Sequence, residues 1–174
     1  MQQNSSRARA QIGSVLQSLD ALLNAPADRL RESYDRYDKD VKKMNEYADA
    51  IRENNTDLRK NGNTYLSQWQ RDTSNVADPE LRAVAERRRN EIAESSQAMR
   101  ATLTNAVGSF EAFLRDINDI HKVIGNDLTP TGQANVRLTT VAQTARSGGA
   151  NAEDAILQAE RAIENLRSQI TPAN

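Results

Sequence analysis

From Leu30 to Trp69 the apolar and small residues return at alternating steps of four and three: Leu30, Tyr34, Tyr37, Val41, Met44, Ala48, Ile51, Asn55, Leu58, Gly62, Tyr65 and Trp69. This is a heptad seam, made by a helix that packs one narrow face against other helices. Strand alternation, with its period of two, cannot generate it. A second seam runs through Leu81, Ala85, Ile92, Met99, Leu103, Ala106, Phe110, Phe113, Ile117, Ile120 and Ile124, with a four-residue stutter expected near Met99. A third follows Val136, Leu138, Val141, Ala145, Gly148, Ala152, Ile156, Ala159, Ile163, Leu166 and Ile170. At about 1.5 Å per residue the first of these helices extends roughly 70 Å, and a rod of that length needs partners to cover its stripe.

Proline marks the ends. Asn24 stands as a candidate N-cap ahead of Pro26, Asp78 precedes Pro79, Thr129 precedes Pro130, and Pro172 follows the last apolar residue. Four helices are predicted, over 5–24, 27–75, 79–125 and 131–170. The expected fold is all-α: an elongated antiparallel bundle with coiled-coil, spectrin-like packing, in which three long helices of about 45 residues are joined by a short N-terminal one. Residues 1–174 are read as a single domain.

The first segment, with Ile12, Val15, Leu19 and Leu22 on one face, is too short to run the whole rod. It is expected to fold back along one half, beside the start of the second helix, the end of the third and the start of the fourth. That leaves a three-helix end containing Tyr65 and Trp69. There Gly62 allows a close approach, Asn55 fixes register, and the two aromatic rings plug the thin end. A ligand pocket beside Trp69 is the alternative. Gly108 and Gly148 are expected at one height. The adjacent Gly148 and Gly149, at a combined cost of ~2 kcal/mol relative to alanine, are expected to break the fourth helix, with a close crossing as the alternative.

Charge removes several functional classes. With 23 Lys plus Arg against 24 Asp plus Glu there is no overall field to draw a nucleic acid, so none is expected as a partner. There is no cysteine for a disulfide, a thiolate nucleophile or a cysteine metal site, a trait that suits reducing and oxidising compartments alike. His121 is the only histidine, and Asn118 stands three residues before it where a di-metal bundle site carries glutamate. An all-carboxylate site from Glu111, Asp116 or Asp119 competes with plain solvated charge. Glu32–Arg36, Asp35–Lys39 and Asp38–Lys42 have the spacing of helix-face ion pairs, and Arg87–Arg89 lie between Glu86 and Glu91, with Arg88 snorkelling at the seam edge. No nucleophile elbow, P-loop or dinucleotide fingerprint occurs in the sequence. The chain is therefore read as noncatalytic, without cofactor or metal.

The opening MQQNSSRARAQIGS lacks the apolar core of a signal peptide, and no stretch approaches the ~20 apolar residues of a membrane span. Membrane proximity would require a signal or lipid anchor removed from upstream. The apolar face of residues 7–23 is expected to be used in the bundle before it meets a membrane.

The stretches LDALLNAP, GNTYLSQWQ, DPELRAVAERR and DINDIHKVIGNDLT, taken in order, resemble the bacterial family catalogued as domain of unknown function 2959. The matching positions are Gly62, Tyr65 and Trp69, then Asp78, Pro79, Leu81 and Arg82, then Gly125, Asp127 and Leu128. The likeness covers most of residues 15–130 and fades in the glycine-containing fourth helix. It implies an uncharacterised helical protein of the periplasm or cell envelope and brings no activity, cofactor or catalytic residue. The expected role is a noncatalytic spacer, scaffold or protein-interaction module with a protein partner. The alternatives are self-association through Tyr47, Leu66, Val84 and Leu157, or a small-ligand bundle with its pocket near Trp69.

Overall fold

The residues at helix starts set the long elements. In the computed structural model, which describes residues 2–171, the chain forms α1 (Gln2–Leu23), a 3-10 turn (Ala27–Arg29), α2 (Leu30–Ser74), α3 (Pro79–Asn126), α4 (Pro130–Arg137) and α5 (Thr140–Ile170). Among the described residues there is no strand. Asp78 caps α3 by accepting hydrogen bonds from the backbone N–H groups of Glu80 and Leu81 at 2.9 and 3.0 Å, and Pro79 takes the first position, where its missing N–H costs nothing. Thr129 caps α4 the same way through Gly132 N–H at 3.1 Å. Asn24 does not cap α2. Its amide donates back to the Asp20 carbonyl at 2.8 Å, closing α1, because the 3-10 turn intervenes before α2 begins. The predicted Pro172 stop lies outside the described residues.

Cross-helix bonds give the directions. Along α2, Tyr37, Arg52 and Asn63 meet Ile117, Glu111 and Arg100 of α3, so the two run oppositely. Asp20 of α1 pairs with Arg146 of α5 at 2.6 Å and Arg9 with Glu160 at 3.1 Å, again in opposite directions. Arg88 of α3 donates to the Gln169 carbonyl near the end of α5, while Gly148 lies beside Phe113. Arg88 therefore caps a neighbour at the surface, and it is Arg89 that is half-buried at the seam.

The core is densest where α1 is present. Ile12, Val15, Leu19 and Leu22 are fully buried as expected, together with Tyr37 and Met44 of α2, Phe113, Ile117 and Ile124 of α3, and Ala145 and Ala152 of α5. Burying each large side chain contributes about 1.5–3 kcal/mol. Two buried amides tie the ends: Gln133 donates to the carbonyls of Leu22 and Ala25 at 2.6 and 2.9 Å, and Gln11 donates to the Asp40 carbonyl at 3.0 Å. The carbonyls of Leu22 and Ala25 lie at and just past the end of α1, where the helical ladder stops, and that of Leu22 also accepts from the Ala25 N–H at 3.3 Å.

Four expectations about the seams are corrected. Ser96 is buried between Ile92 and Met99, so the alternation passes Met99 without a stutter. Leu81, at 64% exposure, is outside the core because α5 stops short of the α2–α3 turn. The fourth segment breaks at Leu138–Thr139, where the Thr139 hydroxyl binds the Val136 carbonyl at 2.7 Å. Past the break Ala142 and Gly149 are buried in place of Val141 and Gly148, Ala145, Ala152, Ile156 and Ala159 are buried as expected, and Leu138 and Val141 face outward.

The fourth correction concerns the glycines. α5 runs unbroken through Gly148–Gly149, because Gly149 is a close crossing: an added Cβ would come within 2.8 Å of Leu16 Cδ1, 3.2 Å of Ile12 and 3.3 Å of Phe113. Gly108 has open space around it and does not meet Gly148.

These two neighbours separate the glycine effects. Gly148→Ala, with its nearest contact at 3.8 Å, is expected to raise stability by about 0.5–1 kcal/mol, and Gly149→Leu to lower it by about 1–3 kcal/mol in denaturant melts. Equal effects at both positions would contradict the crossing.

Candidate functional site

Three features outside plain packing stand out: a polar clasp between α2 and α3, and two apolar recesses further along the rod. The clasp centres on His121. Its ring stacks on Tyr34 with centroids 5.4 Å apart and an interplanar angle of 12°, and Tyr37 lies tilted at 6.2 Å. His121 Nε2 is 2.8 Å from Asp38 Oδ1 and 3.2 Å from the Tyr34 hydroxyl. Lys42 holds the other carboxylate oxygen of Asp38 at 2.7 Å. Gly125 makes room for the Tyr34 hydroxyl, since a Cβ there would collide with it.

One nitrogen serves both His121 partners, and that limits the chemistry. The shorter contact directs the Nε2 proton toward the Asp38 carboxylate, which accepts it, leaving Tyr34 to hold the ring mainly by stacking. A hydrolytic relay requires carboxylate and nucleophile on opposite ring nitrogens. With Asp38 and Tyr34 on the same nitrogen, the group is built as a clasp. The hydrogen bond from Lys42, joined by that of His121, holds the Asp38 carboxyl below its usual range. Burial pushes the Tyr37 phenol well above its ordinary value, and its hydroxyl donates to the Ile117 carbonyl at 2.8 Å. Burial, followed by the Asp38 charge, also raises the Tyr34 phenol.

The first recess, of about 50 Å³, lies where α1 begins, among Ile51, Asn55, Leu103, Phe110, Ile156 and Ile163. The second, of about 250 Å³, lies between α2, α3 and α5 and is lined by Leu58, Gly62, Tyr65, Met99, Leu166 and Ile170 among others. Tyr65 lines this groove at 48% exposure, so it is not a buried plug, and it meets the half-buried Trp69 edge-on at 5.7 Å. Gly62 sits against Arg100 and Ser96.

The other residues singled out from sequence make turns. Asp78 and Pro79 start α3, Leu81 is exposed beside them, and Arg82 donates to the Val76 carbonyl at 2.9 and 2.7 Å, closing the α2–α3 connection. Asp127 accepts from the Thr129 hydroxyl at 2.8 Å, its carbonyl fills the space a Cβ on Gly132 would need, and Leu128 packs on the core. These positions do not converge on one pocket.

Glu32–Arg36 and Asp38–Lys42 pair as expected, and Glu111 pairs with Arg52 at 3.2 Å. Among the described residues no three His, Asp or Glu side chains gather as metal ligands, and no helix is long and apolar enough to cross a membrane. The clasp was not anticipated from sequence, although a signal existed: Tyr34 and His121 stand nearly equal distances from the α2–α3 turn.

The model of the family described as Protein of unknown function (DUF2959) matches residues 1–168, and the chain belongs to that family. No curated protein and no solved structure matches it.

The clasp predicts a pH dependence with a definite sign. Asp38 is held below its usual 3.8 in the folded chain, so it adds stability at neutral pH that fades as pH falls below that value. Asp38→Asn is expected to flatten the acid limb of a melting-temperature profile, and an unchanged slope would show the contacts to carry no energy. Tyr37→Phe, which deletes one buried hydrogen bond, is expected to cost about 0.5–1.5 kcal/mol at neutral pH. It should also weaken the loss of stability above pH 10, the phenol's ordinary value, that burial of Tyr37 imposes.

Proposed function

Taking the chain as a member of this family, we propose that it is a noncatalytic helical rod of the bacterial cell envelope, an elongated antiparallel bundle with spectrin-like packing that holds two protein partners apart. The observation that carries this reading is where apolar side chains are left uncovered. Leu138 and Val123 are 81% and 54% exposed at the end built from the last turns of α3 and α4. Leu81 and Val84 are 64% and 60% exposed at the other end, beside the α2–α3 turn. Between them lie faces rich in charge, such as the surface of α2 that carries the Glu32–Arg36 and Asp38–Lys42 pairs. Exposed apolar side chains at two ends roughly 70 Å apart suit contacts with two different surfaces.

The envelope assignment rests on the family resemblance, whose members look like exported proteins or lipoproteins. The all-helical fold and the unknown-function family fit it without naming a partner.

Photo-crosslinkers placed at Val84 and at Leu138 in producing cells test the reading. Expected are discrete protein adducts at each position, different between the two, recovered with the envelope fraction and lost on Val84→Asp or Leu138→Asp without loss of helicity. Adducts from neither end, or recovery in the cytoplasmic fraction alone, would overturn it.

A further inference from the structure

We propose that the groove between α2, α3 and α5 binds a medium-chain carboxylic acid, its carboxylate held by Ser96 and Arg100 and its alkyl chain lying along the apolar walls. The groove has a volume of about 250 Å³, and none of the ten residues lining it is charged. Leu58, Leu66, Ile92, Met99, Leu166 and Ile170 supply walls that favour hydrocarbon over a polar ligand. At a water's share of about 30 Å³, the volume takes on the order of eight water-sized groups, close to the bulk of an octyl to decyl chain.

Two polar groups without partners of their own select an acid among apolar ligands. Ser96 is 6% exposed and lines the groove, yet its hydroxyl makes no hydrogen bond within the protein. Helical serines ordinarily bond a carbonyl one turn back, as Ser14, Ser18 and Ser74 do here. One turn further along α3, Arg100 donates to the neutral Asn63 amide oxygen at 2.7 Å and leaves its buried Nε without an acceptor. Among the described residues it forms no ion pair, whereas Arg9, whose Nε is also buried and unmatched, has its charge answered by Glu160.

Both donors meet the groove at Gly62. The position a Cβ would take there is 3.1 Å from Arg100 Nη2 and 4.0 Å from Ser96 Oγ, so the missing side chain leaves an approach to the two together. A carboxylate has two oxygens that only accept, and it matches a hydroxyl donor beside a guanidinium. Donors left unmatched in a half-buried setting cost folding free energy, which a bound acid recovers. An alcohol of the same length brings no charge to Arg100, and an alkylammonium brings a repelling one.

This inference does not rest on the end contacts of the proposed rod, and it has its own test. Calorimetric titration of the full chain with decanoate is expected to show saturable one-to-one binding, with decanol and decyltrimethylammonium at least about tenfold weaker. Ser96→Ala removes only the hydroxyl, at a position where alanine favours the helix, and Arg100→Gln removes the charge. Each is expected to weaken decanoate about tenfold while leaving helicity and the affinity for decanol unchanged. No saturation below about 1 mM, decanol binding as tightly as decanoate, or variants that bind decanoate like the wild type would overturn the site while leaving the rod untouched.

Discussion

The turn between α2 and α3 fixes nearly everything else. Two helices of 45 and 48 residues have one register in which both apolar stripes face inward, and the residues that set it are local. Asp78 starts the second helix, Pro79 tolerates that start, and Arg82 reaches back to Val76 to clamp the connection. A slip of one residue would rotate a stripe by roughly 100° and expose it. Contacts far from the turn, such as Tyr37 with Ile117 and His121 with Asp38, depend on that register. They confirm it at a distance, because each needs one specific alignment to form.

Burial then divides the rod into unequal halves. Where α1 is present, side chains from four helices close over one another, and two buried amides find partners inside: Gln133 on the end of α1, Gln11 on α2. Beyond the start of α1 only three helices remain. The α2 seam passes from buried at Ala48 to half-buried at Ile51 and Leu58, and to exposed at Tyr65. Ile92 and Met99 are the large residues of α3 that stay buried there. Fewer buried apolar contacts mean a lower free energy of local opening, so amide exchange should proceed faster in this half than around Phe113.

Long periodic segments were the most legible part of the sequence, because a heptad seam repeated many times has one reading. Proline positions located the turns at Asp78 and Thr129, although Asn24 closes the preceding helix and does not start the next. The break near Thr139 was missed because nothing in RLTTVAQ stops a helix outright. A threonine hydroxyl taking a main-chain carbonyl is a local competition that composition does not rank. Gly148–Gly149 misled in the other direction, since propensity charges a cost that close packing on Leu16, Ile12 and Phe113 offsets. The His121 clasp needed a comparison across two helices. Read along one strand of sequence, His121 is a lone histidine and Asp38 half of a surface ion pair.

The thin half poses the question that stability alone does not answer. Ordering a residue costs about 1–2 kcal/mol of backbone entropy, and a half-buried seam returns less toward that cost than a closed one. A chain shaped only to fold could end α2 soon after Ile51 and begin α3 near Val107, keeping the dense core and dropping the part that packs poorly. It instead continues both helices for many turns, clears one stretch of α2 of all charge, and closes the far end with a specific cap and clamp. Residues that return less to folding are the ones with side chains to spare for a use outside the fold. Reach and surface are what this extension supplies, and the spacer role proposed above draws on those two properties.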